Sequence, residues 1–262
     1  MEPFYESNRD SKSDNFQVVR FENLNFVAHL HNSVEILFLY DGEMLVTINN
    51  SKHRVIAEKL AIMLPDDIHS YETIKSSRGV ILIFSESYLC DFRKIFKSRT
   101  IKENILNAKS SKTKKFIDTY AEIEDRNLKN FYAAGYINSL FYEILEMTSI
   151  INKIDYKQDI LREVLSFIAK EYDKEISQRV VAERLGVSRT YLSRILNKKI
   201  GYSFNEYIGR LRIEKSKRLL AESDLNVLNI ALECGFDNQR TFNRVFQKYV
   251  NTTPSNFKKS SL

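Results

Sequence analysis

Three of the chain's four histidines gather around one glutamate in a pattern that could do chemistry: His29-x-His31-x-x-x-Glu35, and later Pro65-x-x-x-His69. Neutral imidazole nitrogen and carboxylate oxygen suit zinc, iron or manganese, so His29, His31, Glu35 and His69 could hold a metal. They could equally line a cavity for a small effector, or His31 and Glu35 could simply satisfy each other. The cavity is the preferred reading, and no cofactor is expected. A second constellation is a repeat. Ala231 and Gly235 match Ala182 and Gly186 at an offset of 49, while Phe242, Arg244, Val245 and Asn251 match Leu192, Arg194, Ile195 and Gly201 at an offset of 50.

Each copy of the repeat needs a short helix with a small residue in it, Ala182 or Ala231, then a glycine that can turn with positive φ. An apolar plug follows, Val187 or Phe236, and then a second helix opening on a good N-cap, Ser188 or Asn238. This is helix-turn-helix grammar: the small residue lets two helices cross closely, and the glycine relieves the turn. The one-residue change of offset falls at the caps, where a loop absorbs it. Gln178 to Leu185 with Ser188 to Lys198, and Val227 to Cys234 with Asn238 to Tyr249, form the two motifs. A longer helix, Phe204 to Ser223, joins them. An amphipathic stretch from Lys157 to Tyr172 precedes them, and a short helix from Pro254 to Lys259 closes the region.

The histidines lie in a different texture. Gln17–Phe21, Asn25–Leu30, Val34–Tyr40, Glu43–Asn49, Lys59–Leu64 and Gly79–Phe84 are short β-branched or aromatic runs. Turn pairs at Asp41-Gly42, Asn49-Asn50 and Pro65-Asp66-Asp67 separate several of them. Strands at this spacing predict a small antiparallel barrel or jelly roll. The polar run Lys102 to Lys115 reads as a solvated loop or helix end, and Phe116 to Ile151 as two antiparallel helices. The second of these is apolar over a wide arc and so covers more than one neighbour, the barrel on one side and a second subunit on the other; Tyr136, Ile137, Leu140, Phe141 and Ile144 are read as the subunit interface, with packing inside the chain alone as the alternative.

At 262 residues the chain allows two domains. Its charge is uneven: Tyr156 to Leu262 holds 20 Lys and Arg against 12 Asp and Glu, a net of +8, and the rest holds 20 against 22, a net of −2. A polyanion partner fits that bias, as do solvated lysine-rich helices. No apolar run is long enough to span a membrane, and the N-terminus lacks the pattern of a signal peptide, so no membrane association and a cytoplasmic location are expected. Cys90 and Cys234 are too few for a disulfide framework, and Cys234 reads as packing. The fold expectation is an α+β multidomain chain: residues 1–95 an antiparallel β-barrel, 96–155 a helical dimerisation and linker region, and 156–262 an all-α domain.

The histidine spacing resembles the two motifs of the cupin barrel, although Glu58-Lys59 stands where related sensor barrels usually carry a Gly-Asp turn. The C-terminal third resembles the AraC/XylS family of bacterial transcription regulators. It does so through Leu211-Arg-Ile-Glu-Lys-Ser-Lys-Arg-Leu-Leu, Ile230-Ala-Leu-Glu-Cys-Gly-Phe, Phe242-Asn-Arg-Val-Phe-Gln-Lys-Tyr and Thr252-Thr-Pro. Ser216, Gln247 and Asn251 depart from the preferred Ala, Lys and Gly. The resemblance implies base-reading residues at Arg189, Thr190, Ser193, Arg194, Gln239, Arg240, Asn243 and Arg244, with Arg194 and Arg244 equally suited to phosphate or bracing roles. It implies phosphate contacts at Tyr191, Lys198, Lys199, Arg212, Lys248 and Thr253. It further implies double-stranded promoter DNA, a homodimer, an effector and, for an activator, RNA polymerase as partners. The alternatives are a metal-dependent cupin enzyme and a regulator whose barrel binds nothing.

Overall fold

The computed structural model describes residues 16–107, 110–152 and 160–261, and the chain divides near residue 157 into two compact units. The first unit runs β1 (Gln17–Glu22), β2 (Phe26–His29), β3 (Ser33–Ile48), β4 (Ser51–Ile56), β5 (Lys59–Met63) and β6 (His69–Ser85). After a 3-10 turn come α1 (Phe92–Phe96), β7 (Arg99–Ile101), β8 (Ile105–Asn107), α2 (Ser110–Glu122), α3 (Arg126–Met147) and β9 (Ile150–Asn152). The main sheet is antiparallel, with the path β1-β6-β3-β5-β8; β2 also pairs with β6, and β4 with β3.

Its two long strands carry the architecture. Val34–Tyr40 and Glu43–Asn49, expected as separate strands, are one bent strand, β3, because Asp41-Gly42 makes a bulge rather than a hairpin. Gly42 has φ 87°, and a Cβ there would lie 1.9 Å from the Ser76 carbonyl oxygen. Opposite it, the edge arm breaks between β4 and β5, where Glu58 takes φ 63° and donates its N–H to the Leu39 carbonyl at 2.9 Å. The Glu58-Lys59 departure thus sits at a bend, not at a hairpin. Asn49 and Asn50, both at positive φ, do form the β3–β4 hairpin turn.

The bend rolls the sheet over. His69 and Ile83 on a straight β6 would stand about 46 Å apart at about 3.3 Å per residue. Yet Glu35, paired with Ile83, has its Oε2 3.5 Å from His69 Nε2. The expected barrel is therefore a rolled sheet whose hydrogen-bonded path stays open.

Of the two readings of the run Lys102 to Lys115, the helix end holds for its last residues and the solvated loop does not hold for Ile105–Asn107. Ile105–Asn107 pairs with β5, and α2 has begun by Ser110. Its Thr113, Phe116 and Ile117 are buried while Lys112 and Lys115 are exposed, so lysines on the outer face mask a helix. α3 opens on Asp125, whose carboxylate accepts from the Leu128 N–H at 2.8 Å. Phe116 stacks on Tyr136 with centroids 3.8 Å apart. Together the helices cover one sheet face, forming a core of Phe38, Leu60, Leu82 and Phe84 with Phe116, Ile137, Phe141 and Ile144. The subunit face read from the sequence needs correcting accordingly. Ile137, Leu140, Phe141 and Ile144 are buried inside their own unit, and Tyr136 is half-buried. A wide apolar arc on α3 is what a sheet requires of a covering helix.

The second unit is α4 (Ile160–Glu171), α5 (Gln178–Arg184), α6 (Arg189–Lys199), α7 (Phe204–Glu222), α8 (Val227–Glu233), α9 (Gln239–Val250) and α10 (Pro254–Ser261). α7 starts in a reciprocal cap: Ser203 Oγ accepts the Glu206 N–H, and the Glu206 carboxylate accepts the Ser203 N–H at 3.1 Å. Among the described residues, no helix is long and apolar enough to cross a membrane.

Candidate nucleic-acid interface

The two halves of the repeat fold by the same bonds. In the first, Val187 N–H donates to the Ala182 carbonyl at 3.0 Å across Gly186; in the second, Phe236 N–H donates to the Ala231 carbonyl at 3.0 Å across Gly235. Gly186 and Gly235 have φ 65° and 81°. A Cβ on Gly235 would come within 2.6 Å of the Asp173 carbonyl oxygen, so the second turn also needs the missing side chain for space. Ser188 Oγ accepts from Tyr191 N–H at 3.1 Å, and Asn238 Oδ1 from Thr241 N–H at 2.9 Å, setting the start of α6 and α9. Asn251 closes α9 at φ 58°, in the left-handed region where Gly201, at φ 81°, follows α6.

Both second helices bury an aromatic or aliphatic edge, Leu192 and Leu196 on α6 and Phe242 and Phe246 on α9. The opposite edge is left to solvent. Arg189, Thr190 and Arg194 on α6 and Arg240, Asn243 and Arg244 on α9 are exposed, while Ser193 and Gln239 are half-buried. Arg194 lies over the Tyr191 ring at 5.5 Å, and Gln178 Nε2 donates to the Arg189 carbonyl at 2.8 Å, tying the start of α5 to the start of α6. Tyr191, Lys198, Lys199, Lys248 and Thr253 are also exposed, with Thr253 Oγ1 capping α10 through Asn256 N–H at 3.2 Å. Lys248 stands 3.8 Å from a Glu206 carboxylate oxygen.

Arg212 is the exception among the expected phosphate contacts. Its Nε donates to the Tyr172 carbonyl at 2.6 Å and its Nη2 to the Lys174 carbonyl at 2.9 Å, and burial lowers its pKa. It closes the end of α4 rather than facing outward. Sequence reasoning also passed over Arg210, whose guanidinium sits between the rings of Tyr202 at 4.3 Å and Tyr249 at 4.5 Å. It thereby ties α7 to the ends of both motifs. Cys234 is fully buried beside Phe236 and Phe242, as packing requires.

Residues 181–260 match a helix-turn-helix domain family, and residues 16–90 match the AraC-like ligand binding domain. A curated relative, the probable transcription factor PqrA of Proteus vulgaris, is 30% identical over 105 residues, which cover 39% of this chain and 86% of that protein. The chain belongs to the AraC family of transcription regulators. It is a DNA-binding regulator, not an enzyme, and residues 16–90 of its first unit carry the family's sensor-domain fold. The similarity extends along the chain in the transcriptional activator RhaS of Mannheimia succiniciproducens, 23% identical over 87% of this chain and 88% of the relative. Other relatives are spanned over only 13% to 39% of their length. ToxT of Vibrio cholerae shares the fold, with TM-score 0.61 at 15% identity over 95% of this chain and 99% of that one. A form bound to an unsaturated fatty acid gives 0.57 at 16%, over 94% and 96%.

In the ligand-binding domain the structure brings all four sequence-singled residues together: atoms of His29, His31, Glu35 and His69 lie within 4.8 Å of one another. His29 Nδ1 lies 2.9 Å from the Val27 carbonyl oxygen and His69 Nδ1 2.8 Å from that of Asp67. Since a carbonyl only accepts, both Nδ1 atoms carry protons. Burial, with repulsion from His69 and His31, holds the His29 imidazole well below its ordinary pKa. Burial pushes the Glu35 carboxyl up, but His69 and His31 outweigh it and leave Glu35 below the usual carboxylate range. Burial likewise depresses His69, and the Glu35 charge reverses the effect. Tyr71, missed in the sequence because it reads as one more aromatic strand residue, donates its hydroxyl to Glu35 Oε1.

A separate groove of about 700 Å3 opens between the sheet and the helices. Phe38, Leu60, Phe116, Tyr132, Tyr136 and Leu140 form its apolar lining, with Lys112, Lys115 and Glu143 also at its walls. No sequence signal pointed to it, because its walls come from β3, β5, β8, α2 and α3.

Proposed function

We propose that this regulator reads promoter DNA with α6 and α9 in two successive major-groove segments, and that it does so as a homodimer controlled by its ligand-binding domain. The observation that carries the reading is the shared geometry of the two motifs: the same turn bonds, the same side-chain caps, and an Arg- and amide-bearing exposed edge on each second helix. α7, 19 residues long, spans about 28 Å at about 1.5 Å per residue, close to the roughly 34 Å of one DNA turn. Arg189, Thr190, Ser193, Arg194, Gln239, Arg240, Asn243 and Arg244 are the proposed base readers, since Arg pairs with guanine and Asn or Gln with adenine. Tyr191, Lys198, Lys199, Lys248 and Thr253 are the proposed phosphate contacts. Selection of binding sites from random duplexes by the full chain is expected to return two half-sites, direct or inverted, each made of two short motifs about one helical turn apart. Recovery of a single continuous motif would overturn the two-helix reading.

Support for the dimer comes from the outer face of α3. Leu128, Phe131, Gly135, Ser139 and Tyr142 are all exposed there, Ser139 and Tyr142 at the edge where the groove also opens. They recur every three or four residues and so form one stripe whose small centre lets a second α3 approach closely. For the effector, the aromatic groove suits an amphipathic molecule with an acidic head, held by the exposed Lys115 and by Lys112 on exchange of its 2.6 Å pair with Glu143. The fatty acid bound by ToxT belongs to that class. Recruitment of RNA polymerase, and with it activation, is part of the same proposal and is read by promoter-directed transcription in vitro.

A further inference from the structure

The histidine cluster lies apart from the groove and is built differently. We propose that His29, His31, Glu35 and His69 form a binding site for one divalent first-row transition-metal ion inside the rolled sheet. Four observations carry it. First, the donor set of three imidazoles and one carboxylate is what zinc, iron, cobalt or nickel take from proteins. Second, Glu35 Oε2 lies 2.9 Å from His31 Nε2 and 3.5 Å from His69 Nε2. Ligand atoms about 2.05 Å from one ion stand about 2.9 Å apart in adjacent octahedral positions and about 3.3 Å apart in a tetrahedron, so these two pairs need little movement, and the full set, spread within 4.8 Å, would draw in around the ion.

Third, the outer partners are those of a ligand shell. Carbonyls of Val27, Asp67 and Ser33 engage Nδ1 of His29, His69 and His31, and the Tyr71 hydroxyl occupies Glu35 Oε1, which leaves Oε2 inward. Fourth, His69 is 1% exposed, and its Nε2 has no hydrogen-bond partner of good geometry although it points at the cluster. His31 is partly exposed, giving an ion a way in. An ion here would join β2, β3 and β6 across the roll, so that this regulator's sensing unit would answer to metal as well as to any organic effector.

The test uses the full untagged chain, stripped with chelator, then dialysed against zinc or cobalt(II) chloride. Elemental analysis is expected to find one ion per chain, with a raised thermal unfolding midpoint and a cobalt absorption spectrum of nitrogen and oxygen ligation. His31→Gln and His69→Gln are expected to weaken binding more than about 100-fold, beyond what loss of an outer partner does. His53→Gln, the remaining histidine, on β4, is expected to leave binding unchanged. His31→Gln guards against misfolding, because its ring is at the rim; circular dichroism checks it. A wild-type chain that retains no ion, or variants at His31 and His69 that retain it as wild type does, would overturn the site.

Discussion

Arg212 and Arg240 are the same residue type with opposite employment, and the difference is readable in what their guanidinium groups touch. Arg212 satisfies carbonyls at the end of α4, whereas Arg240 is exposed at the start of α9. Arg240→Ala is expected to relax base choice at one position and cost about 1 to 3 kcal/mol of binding, measured by site selection and titration. Arg212→Ala should leave base preference unchanged and lower unfolding free energy by about 1 to 3 kcal/mol in denaturant titration, since two carbonyls lose their donor. Lys198→Ala, at the exposed last turn of α6, should weaken all sequences alike and reduce the slope of log affinity against log salt by about 1. A sequence-dependent loss there would remove Lys198 from the phosphate group.

Turns and helix faces set the next level. Gly186 and Gly235 share a left-handed φ, but only Gly235 is crowded, by the Asp173 carbonyl. Gly186→Ala should therefore cost about 1 to 2 kcal/mol of stability, the left-handed penalty alone, and Gly235→Ala clearly more. On α3, Phe131→Glu should yield a monomer by sedimentation with the melting temperature kept, while Ile144→Asp should unfold the first unit, because Phe131 is 81% exposed and Ile144 fully buried. The helices of the second unit were legible because caps, glycines and apolar periods agree locally. β4 was not, since Ser51-Lys-His-Arg is an exposed edge whose only warrant is pairing with β3. The start of α2 hid behind its lysines, and the Asp41-Gly42 bulge imitated a hairpin. The histidine cluster was legible as spacing. That Tyr71 completes it was not, since this depends on the sheet rolling over.

At the scale of the molecule the two units divide the labour by charge, a net of +8 from Tyr156 onward against −2 before it. A fragment from residue 156 to 262 is expected to fold alone, with helical circular dichroism, and to bind one half of a dimer site more weakly than the full chain. PqrA, 86% of which is spanned by the similarity, has little room for more than such a unit. Loss of helicity in the fragment would refute this. The rolled sheet has a consequence in time as well as in space. β3 meets β6 through pairs from Ile48 with His69 out to Ser33 with Ser85, so this ladder cannot be completed until Ser85 has been synthesised, although β4 and β5 can pair with β3 earlier. Its covering helices come later still, at Ser110 to Met147. The tandem motifs, by contrast, close on neighbours a few residues away. Non-local pairing is slow and local pairing fast, so refolding of the whole chain should show two phases. The DNA-binding unit, made last on the ribosome, should be the first to recover its helices.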